Sequence, residues 1–202
     1  MTVTISASKP TQYSARMTDV CAPVQPSQHW FVLRVTYQRE LITKKMLDEM
    51  GITSFLPMQR IRRRNRQGRF TVVWEVAVHN YIFVYTDKPT VDSLKHTKLP
   101  WLRYCIQREG ATSRIMTVAE QDMKSFIAVA GSEDEHVQFL DPQDITFTEG
   151  DRVRILSGPF EGTVGHFVRL KGKRDNCVVV RIEGIIAVAT AAIPVQLVEK
   201  LN

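Results

Sequence analysis

Short apolar stretches of strand length alternate with helical stretches over the first two thirds of the chain. Apolar and β-branched residues predict strands over residues 29–36, 53–58, 71–78, 81–86 and 102–107. Helices are predicted over residues 38–50, 89–95 and 118–130. In the first of these helices, Ile42, Met46 and Met50 recur every four residues, and together with Leu41 and Leu47 alongside they are predicted to form the buried stripe. Strands interleaved with helices that pack on one face predict an α+β domain over residues 29–130.

A second group of strands begins near residue 150, and its first hairpin combines strand alternation with turn residues. Val153 and Ile155 give the first strand an apolar face, while the arginines beside them make its other face basic. Gly158 can adopt a positive φ, and Pro159 fixes its own φ at about −65°, so the strand is predicted to turn there. Phe160 is predicted to cap the small core beneath this turn.

Two glycines and three further strands complete the second domain. Gly162 and Gly165 bracket the start of a strand over residues 164–170, where a bulge or a close backbone approach is predicted. Strands over residues 177–182, 185–190 and 195–201 are predicted to close with the hairpin into a small barrel. An ordinary hairpin also explains the turn residues when they are considered alone.

The composition of the remaining segments predicts the domain boundaries. Residues 1–28 are rich in Ser, Thr and Pro and are predicted to be a disordered tail. Residues 131–151 contain seven acidic residues and neither Lys nor Arg. This composition predicts a solvated acidic linker over residues 131–147, so that the second domain spans residues 148–202.

Charge and cysteine content limit the classes of partner and compartment. The 202 residues include 27 basic and 21 acidic side chains, a net charge of +6 that suits an anionic partner. Cys21, Cys105 and Cys177 stand far apart, which predicts neither a disulfide framework nor a zinc site and favours a cytoplasmic location. No apolar run approaches the roughly 18 residues of a membrane helix, so no membrane partner is expected.

A dense arginine cluster lies between two predicted strands of the first domain. Residues 60–69 contain six arginines and no acidic residue. They are Arg60, Arg62, Arg63, Arg64, Arg66 and Arg69. Asn65, Gln67 and Gly68 are predicted to supply a flexible turn. A solvated hairpin tip is one interpretation, but guanidinium groups match phosphate geometry, and contact with a nucleic-acid backbone is the preferred hypothesis. Such contacts would position the protein without reading sequence.

Nothing in the sequence indicates catalysis. The five histidines are scattered, and no His, Cys or Asp grouping has the spacing of a metal site or a catalytic triad. We therefore predict a protein that is not an enzyme, with no catalytic residue, no metal and no cofactor.

The order of these features resembles that of the NusG transcription elongation factors over residues 29–201. The residues that carry the resemblance are Trp30-Phe31-Val32-Leu33, Phe55-Leu56-Pro57 and Tyr81-Ile82-Phe83-Val84, together with the basic hairpin, the acidic linker and the last hairpin. Residues 77–84, 122–131, 139–144 and 186–193 look like the UpxY group, which comprises antiterminators of capsular polysaccharide operons.

The resemblance implies a fold for each domain. The first would be an NGN domain, an antiparallel sheet with helices packed on it, and the second an SH3-like β-barrel called a KOW domain. The KOW motif would comprise Gly150, Asp151, Gly158, Pro159, Phe160, Gly162 and Gly165.

The resemblance also implies a partner, RNA polymerase, and an activity, the suppression of pausing and termination. NusG-like proteins bind the clamp helices of the β′ subunit through an apolar depression. Here that depression would involve Val78, Tyr81, Phe83 and Tyr104, although Tyr81 and Phe83 could equally belong to the core. The usual motif reads Phe-Pro-Gly-Tyr-Val-Phe, whereas residues 78–83 read Val-His-Asn-Tyr-Ile-Phe, so the depression is expected to have an altered shape. The arginine cluster would lie near the upstream edge of the transcription bubble and hold DNA or nascent RNA.

For the KOW domain, the family implies ribosomal protein S10 or the termination factor Rho as partners. The loop after Phe160 lacks the second aromatic residue that helps those contacts, which weakens this expectation. An alternative is a KOW-type RNA- or ribosome-binding module. That class explains the barrel and the positive charge but not the preceding α+β domain.

Overall fold

The structure is a computed structural model that describes residues 28–140, 150–170, 175–182 and 184–201. The chain divides into two compact units, Met1–Val118 and Ala119–Asn202. The predicted tail lies outside the described residues apart from residue 28, and so do residues 141–147 of the predicted linker.

The first unit has a mixed α+β fold. Its elements are β1 (His29–Val35), α1 (Glu40–Glu49), β2 (Ser54–Phe55), β3 (Met58–Arg64), β4 (Phe70–Val76), β5 (Tyr81–Thr86), α2 (Lys88–Thr97), β6 (Leu102–Tyr104), β7 (Ile106–Glu109), β8 (Thr112–Ile115) and β9 (Thr117–Val118). Strands β2, β5, β1 and β6 form an antiparallel sheet in that order, and β9 also pairs with β1. The pairs β3–β4 and β7–β8 are separate two-stranded hairpins.

The main core of this unit lies between the sheet and its two helices. Leu33 of β1 pairs with Ile82 of β5, and both pack against Leu47 of α1 and Val91 of α2. Because side chains alternate along a strand, Val32 and Phe83 point to the opposite face of the sheet. They too are fully buried, so the centre of the sheet is shielded from water on both faces.

The buried face of α1 differs from the predicted one. Of the predicted stripe, Leu47 is buried, but Leu41 and Ile42 are 52% and 55% exposed. The other buried residues of the helix are polar, namely Glu40, Thr43 and Lys44. Residues at this spacing form one face of a helix, and that face lies about one third of a turn away from the predicted stripe. The predicted Met46 and Met50 are only partly buried at the edge of the core.

Hydrogen bonds from other parts of the chain allow polar side chains to occupy this face. The backbone N–H of Asn80 donates to Glu40 Oε1 at 2.6 Å, and Trp101 Nε1 donates to Thr43 Oγ1 at 2.8 Å. Lys44 donates to Asp48 one turn further along the helix. Buried polar groups are tolerated when they are paired in this way. This face of α1 can therefore be buried although it carries polar side chains.

The described residues of the second unit form one α-helix and a six-stranded antiparallel sheet. Its elements are α3 (Glu120–Ala130), β10 (Gln138–Leu140), β11 (Asp151–Ile155), β12 (Val164–Arg169), β13 (Asn176–Ile182), β14 (Ile186–Ala192), a short 3-10 turn (Val195–Leu197) and β15 (Val198–Lys200). The strand order is β10-β14-β13-β12-β11-β15. Val168, Val179 and Ala189 belong to the apolar cluster of this sheet.

Two elements lie elsewhere than the sequence predicts. Within the predicted linker, β10 is an edge strand that pairs with β14, with Phe139 opposite Val188. The sequence also places α3 in the first domain, but α3 packs against β12, β13 and β14 of the second unit. A buried hydrogen bond supports this packing, because the Val164 N–H donates to Ser125 Oγ of α3 at 3.0 Å.

The hairpin β11–β12 has the predicted turn. Gly158 and Gly162 have φ values of +93° and +79°, which favour glycine, and Phe160 is buried beneath the turn. A Cβ atom at Gly165 would lie 2.7 Å from the carbonyl oxygen of Val179, so close backbone approach excludes a side chain there.

Two phenylalanines of the first unit, one buried and one exposed, provide a test of its core. Phe83 is 0% exposed and Phe70 is 70% exposed. We expect Phe83→Ala to lower the free energy of unfolding by about 3–5 kcal/mol, because it leaves a cavity. Phe70→Ala should change it by no more than about 0.5 kcal/mol. Trp30, Trp74 and Trp101 all lie in this unit, so tryptophan fluorescence during urea unfolding measures its stability selectively. Equal losses for the two variants would contradict the assigned core.

Candidate functional site

The first candidate site comprises the residues predicted to contact polymerase on β5. Tyr81 lies opposite Arg34, and Phe83 lies between Val32 and Phe55 on the neighbouring strands. Tyr81 is half-buried, whereas Phe83 is completely buried, with its ring centroid 6.5 Å from that of Phe55. Val78 is also buried. Of these three residues, only Tyr81 offers accessible surface, and the contact with polymerase stays a prediction.

Tyr104 does not share a face with Tyr81 and Phe83. Leu33 lies opposite both Ile82 and Tyr104, so Tyr104 belongs to the sheet face that α1 and α2 cover. Its hydroxyl donates to Asp92 Oδ1 at 3.0 Å. Burial and then this hydrogen bond raise the pKa of Tyr104 above its usual value. Tyr81 and Phe83 therefore lie on β5 away from Tyr104, which is on the other face of the sheet, while Val78 precedes the strand.

Lys95 of α2 also contacts the ring of Tyr104, with its Nζ over the ring at 4.1 Å from the centroid. This cation–π contact, together with the hydrogen bond to Asp92, fixes the side chain against α2. These contacts give Tyr104 a structural role on the helical side of the sheet.

Asn80 explains how the chain enters β5 without the glycine of the usual motif. Its φ is +70°, in the left-handed region where asparagine is among the best tolerated residues after glycine. Its N–H donates to the buried carboxylate of Glu40, and its carbonyl accepts from the N–H of Val35 at 2.8 Å. These bonds connect the turn to both α1 and β1, and so fix the start of β5 and the position of Tyr81.

The second candidate site is the arginine-rich hairpin, whose tip is closed by hydrogen bonds. Asn65 Oδ1 accepts from the backbone N–H groups of Gln67 and Arg69, at 3.0 and 2.9 Å. Gly68 has a φ of +79°, and its carbonyl accepts from Arg64 Nε at 3.0 Å. The turn predicted to be flexible therefore has a defined geometry that sets the register of β3 against β4.

That register divides the hairpin into two different faces. Residues directly opposite each other in an antiparallel pair point to the same side. Arg60, Arg62 and Arg64 lie opposite Trp74, Val72 and Phe70 respectively. We call the surface of these six residues the mixed face. Its apolar side chains become more exposed toward the tip, from the half-buried Trp74 to Val72 at 41% and Phe70 at 70%.

The opposite face of the hairpin has another composition. It carries Ile61, Val73 and the Arg63–Glu75 ion pair, in which Arg63 Nη2 lies 3.0 Å from Glu75 Oε2. Glu75 is the one acidic residue between Met58 and Val76. Sequence reasoning identified the arginines but missed Phe70 and Val72. Their alternation after the Asn65–Gly68 turn is the signal from which both faces could have been found.

The residues predicted as a KOW motif are brought together on the β11–β12 hairpin. Gly158, Pro159 and Phe160 form its turn, and Gly162 and Gly165 lie at the start of the return strand. Asp151 begins β11, and its carboxylate accepts from Lys200 of β15 at 2.8 Å. At Gly150, a Cβ atom would collide with the Phe167 carbonyl. These positions serve the hairpin itself.

The described part of the chain shows no cluster of three or more His, Cys, Asp or Glu side chains that could hold a metal. Cys105 and Cys177 are free thiols, and burial raises the pKa of Cys105 to about 11, so it stays protonated at neutral pH. None of the helices in the described ranges has the length and apolarity needed to cross a membrane.

One family model matches most of the first unit. Residues 28–127 match the family model described as "NusG: Transcription termination factor nusG", which is just under half of the chain. Over these residues the chain is NusG-like, as the sequence predicts, while membership of the UpxY group stays a prediction. The match extends into α3, although α3 packs with the second unit. No curated protein matches the chain.

Solved structures also match the chain. One of them is described as "Domain interaction in Thermotoga maritima NusG". It is 20% identical, with a TM-score of 0.39, and the alignment covers 87% of this chain and 98% of the other.

The hydrogen bond between Glu40 and Asn80 can be tested by substitution. We expect Glu40→Ala to lower the free energy of unfolding of the first unit by about 1–3 kcal/mol, because a buried N–H loses its acceptor. Glu40→Gln keeps an acceptor oxygen and should cost less. Urea unfolding followed by tryptophan fluorescence measures both variants. If Glu40→Ala were as stable as the unsubstituted protein, this bond would not fix the turn before β5.

Proposed function

We propose that this protein is a NusG-type transcription factor that binds RNA polymerase and suppresses pausing and termination. The match of residues 28–127 to the NusG family model is the observation that carries this proposal. That model is described as a transcription termination factor, and NusG-like proteins act on the polymerase rather than by catalysis. The protein is accordingly not an enzyme, needs no cofactor, and acts in the cytoplasm, where the polymerase is.

The polymerase contact is assigned to the region around Tyr81. The turn at Asn80 and the adjoining strands hold this side chain at the start of β5, where it stays half-exposed. An aromatic ring with a polar hydroxyl suits the rim of an apolar contact, because it buries a large area and keeps one hydrogen bond to water or partner. The partner surface is the pair of clamp helices of the β′ subunit. Val78 and Phe83 support this surface from the interior.

Suppression of pausing requires only differential binding. A factor that binds the closed, active conformation of the clamp more tightly than the paused one shifts the population toward the active state. Each 1.4 kcal/mol of difference changes the ratio of the two states about tenfold. No bond has to be made or broken.

The arginine-rich hairpin is assigned to nucleic acid near the upstream edge of the transcription bubble. Its positively charged side chains lie on a hairpin whose register and turn are defined. Contacts to phosphate groups there would add affinity for the elongation complex and would hold the protein in register.

The second unit is assigned to the KOW class. A six-stranded antiparallel sheet with a Gly-Pro-Phe turn supports this assignment. The short loop after Phe160 supports neither ribosomal protein S10 nor Rho as its partner. The segments that resemble the UpxY group support a specialised factor that serves a polysaccharide biosynthesis operon.

Substitution of Tyr81 tests the polymerase contact. We expect Tyr81→Ala to weaken binding to purified RNA polymerase at least about tenfold, because the accessible aromatic side chain of this contact is lost. The variant should also suppress pausing less on a purified elongation complex. The stability of the first unit should change much less than in Phe83→Ala, since Tyr81 is only half-buried.

Tyr37→Ala is the matched control, because Tyr37 is 81% exposed and lies in the same unit on the loop between β1 and α1. Equal binding of Tyr81→Ala and the unsubstituted protein would remove this region from the interface. Equal loss in both variants would indicate a different or much larger surface.

Occupancy along the genome tests the specialised role. A tagged protein should be recovered with RNA polymerase, and its crosslinked DNA should be confined to a polysaccharide locus. Occupancy of most transcribed genes would instead indicate a general elongation factor. Recovery with ribosomal subunits and without polymerase would favour the alternative, a KOW-type ribosome-binding module.

A further inference from the structure

We propose that the mixed face of the β3–β4 hairpin binds an unpaired nucleic-acid strand, with bases stacked on its apolar side chains and phosphates held by its arginines. This proposal deepens the assignment of the hairpin to nucleic acid. It rests on the proposed function only in one respect, the location of the strand within the transcription complex. The binding itself requires no polymerase.

The charge of the hairpin determines the chemical class of the partner. Arg60, Arg62 and Arg64 are exposed on one strand and recur at every second residue, about 6.5–7 Å apart. The acidic residue of the hairpin, Glu75, lies on the opposite face and pairs with Arg63. The mixed face therefore presents positive charge without internal neutralisation, and a polyanion that runs along the strand is its complement.

The apolar side chains determine which kind of polyanion fits. Phe70 is 70% exposed beside the tip, and Val72 is 41% exposed one step below it. Each lies directly opposite an arginine, so an aromatic or apolar surface and a guanidinium group alternate across the face. Duplexes hide the faces of their bases, so their phosphates would occupy the arginines and leave Phe70 in water. An unpaired strand uses both groups, because each base offers a π-face beside its phosphate.

The hairpin is also built to present this face without rearrangement. At its base, Met58 and Val76 are buried together with Leu56, and Trp74 packs against them. At its tip, Asn65 Oδ1 accepts from the Arg69 N–H, and the Gly68 carbonyl accepts from Arg64 Nε. These contacts hold both ends of the hairpin, so little ordering of its backbone opposes binding.

The face contains groups that stack and groups that bind phosphate, but no amide side chain directed at base edges. Gln59 lies on the opposite face, and Asn65 Oδ1 is occupied within the turn. We therefore expect affinity that depends strongly on salt and weakly on base sequence.

The test uses the purified full-length protein and short labelled oligonucleotides, measured by fluorescence anisotropy over a series of salt concentrations. Single-stranded DNA, single-stranded RNA and the corresponding DNA duplex form three arms. We expect the unsubstituted protein to bind at least one of the single strands more tightly than the duplex.

Two substitutions separate stacking from charge. Phe70→Ala should weaken single-strand binding about tenfold, leave duplex binding unchanged, and leave the dependence of affinity on salt unchanged. Arg62→Ala should weaken binding to every arm and lower the slope of log affinity against log salt by about 0.7 for the single strands.

Matched controls exist for both variants. Arg108→Ala removes the same charge from an exposed position on the separate β7–β8 hairpin, and Ile106→Ala removes an apolar side chain that is 54% exposed on β7. Both should bind single strands as the unsubstituted protein does. Urea unfolding of each variant establishes that the first unit stays folded.

The outcomes are decisive in either direction. If Phe70→Ala acts equally on duplex and single strands, or on neither, the stacking role is overturned. If Arg108→Ala is as damaging as Arg62→Ala, net charge rather than the mixed face causes binding. If Phe70→Ala weakens the binding of single-stranded RNA alone, the bound strand is the transcript. If it weakens the binding of single-stranded DNA alone, the bound strand is a displaced DNA strand. Failure here leaves the Tyr81 test of polymerase binding unaffected, and the reverse also holds.

Discussion

The alternation of side chains between the two faces of a strand is the constraint on which both candidate interfaces depend. In β5, it sends Ile82 toward the helices and Phe83 to the other side, where each is completely buried. Of the two residues on β5 that are predicted to contact polymerase, only Tyr81, at the beginning of the strand, keeps accessible surface. In the β3–β4 hairpin, the same rule separates the arginines that face Phe70 and Val72 from Arg63, which pairs with Glu75. A slip of one strand by one residue would mix these sets, so the turn that fixes the register is as important as the arginines.

Local sequence predicts most of the elements because their signals are local. Residues 81–86 form one aromatic and β-branched run that begins after a turn, and the structure has a strand with the same bounds. The Gly-Pro-Phe turn is likewise specified by neighbouring residues. The buried face of α1 is not, because Glu40 and Thr43 are paired with groups from residues 80 and 101. Periodicity of apolar residues cannot detect partners that are so distant along the chain.

The candidate sites show the same limit. The arginine cluster is visible as composition, but its two faces emerge only from the pairing of β3 with β4. The family resemblance groups Tyr104 with Tyr81 and Phe83, but the structure places it on the other face of the sheet. The reason is that Tyr104 on β6 and Ile82 on β5 both lie opposite Leu33 of β1. Such grouping depends on long-range register, which one sequence does not specify. Asn80 is an instructive exception, since its tolerance of positive φ explains why the family's glycine can be replaced at that position.

The position of α3 affects how the protein can be divided for experiments. Turn chemistry and acidic composition suggest a cut near residue 148, but α3 and β10 both pack with the strands that follow. A fragment that begins after the acidic segment would lack the hydroxyl that accepts from Val164 and would leave an edge of β14 unpaired. Its newly bare strands would be prone to self-association. Binding data from such a fragment would describe an artificial surface. A fragment that begins at Ala119 would keep α3 and β10 and with them the native surface of the sheet.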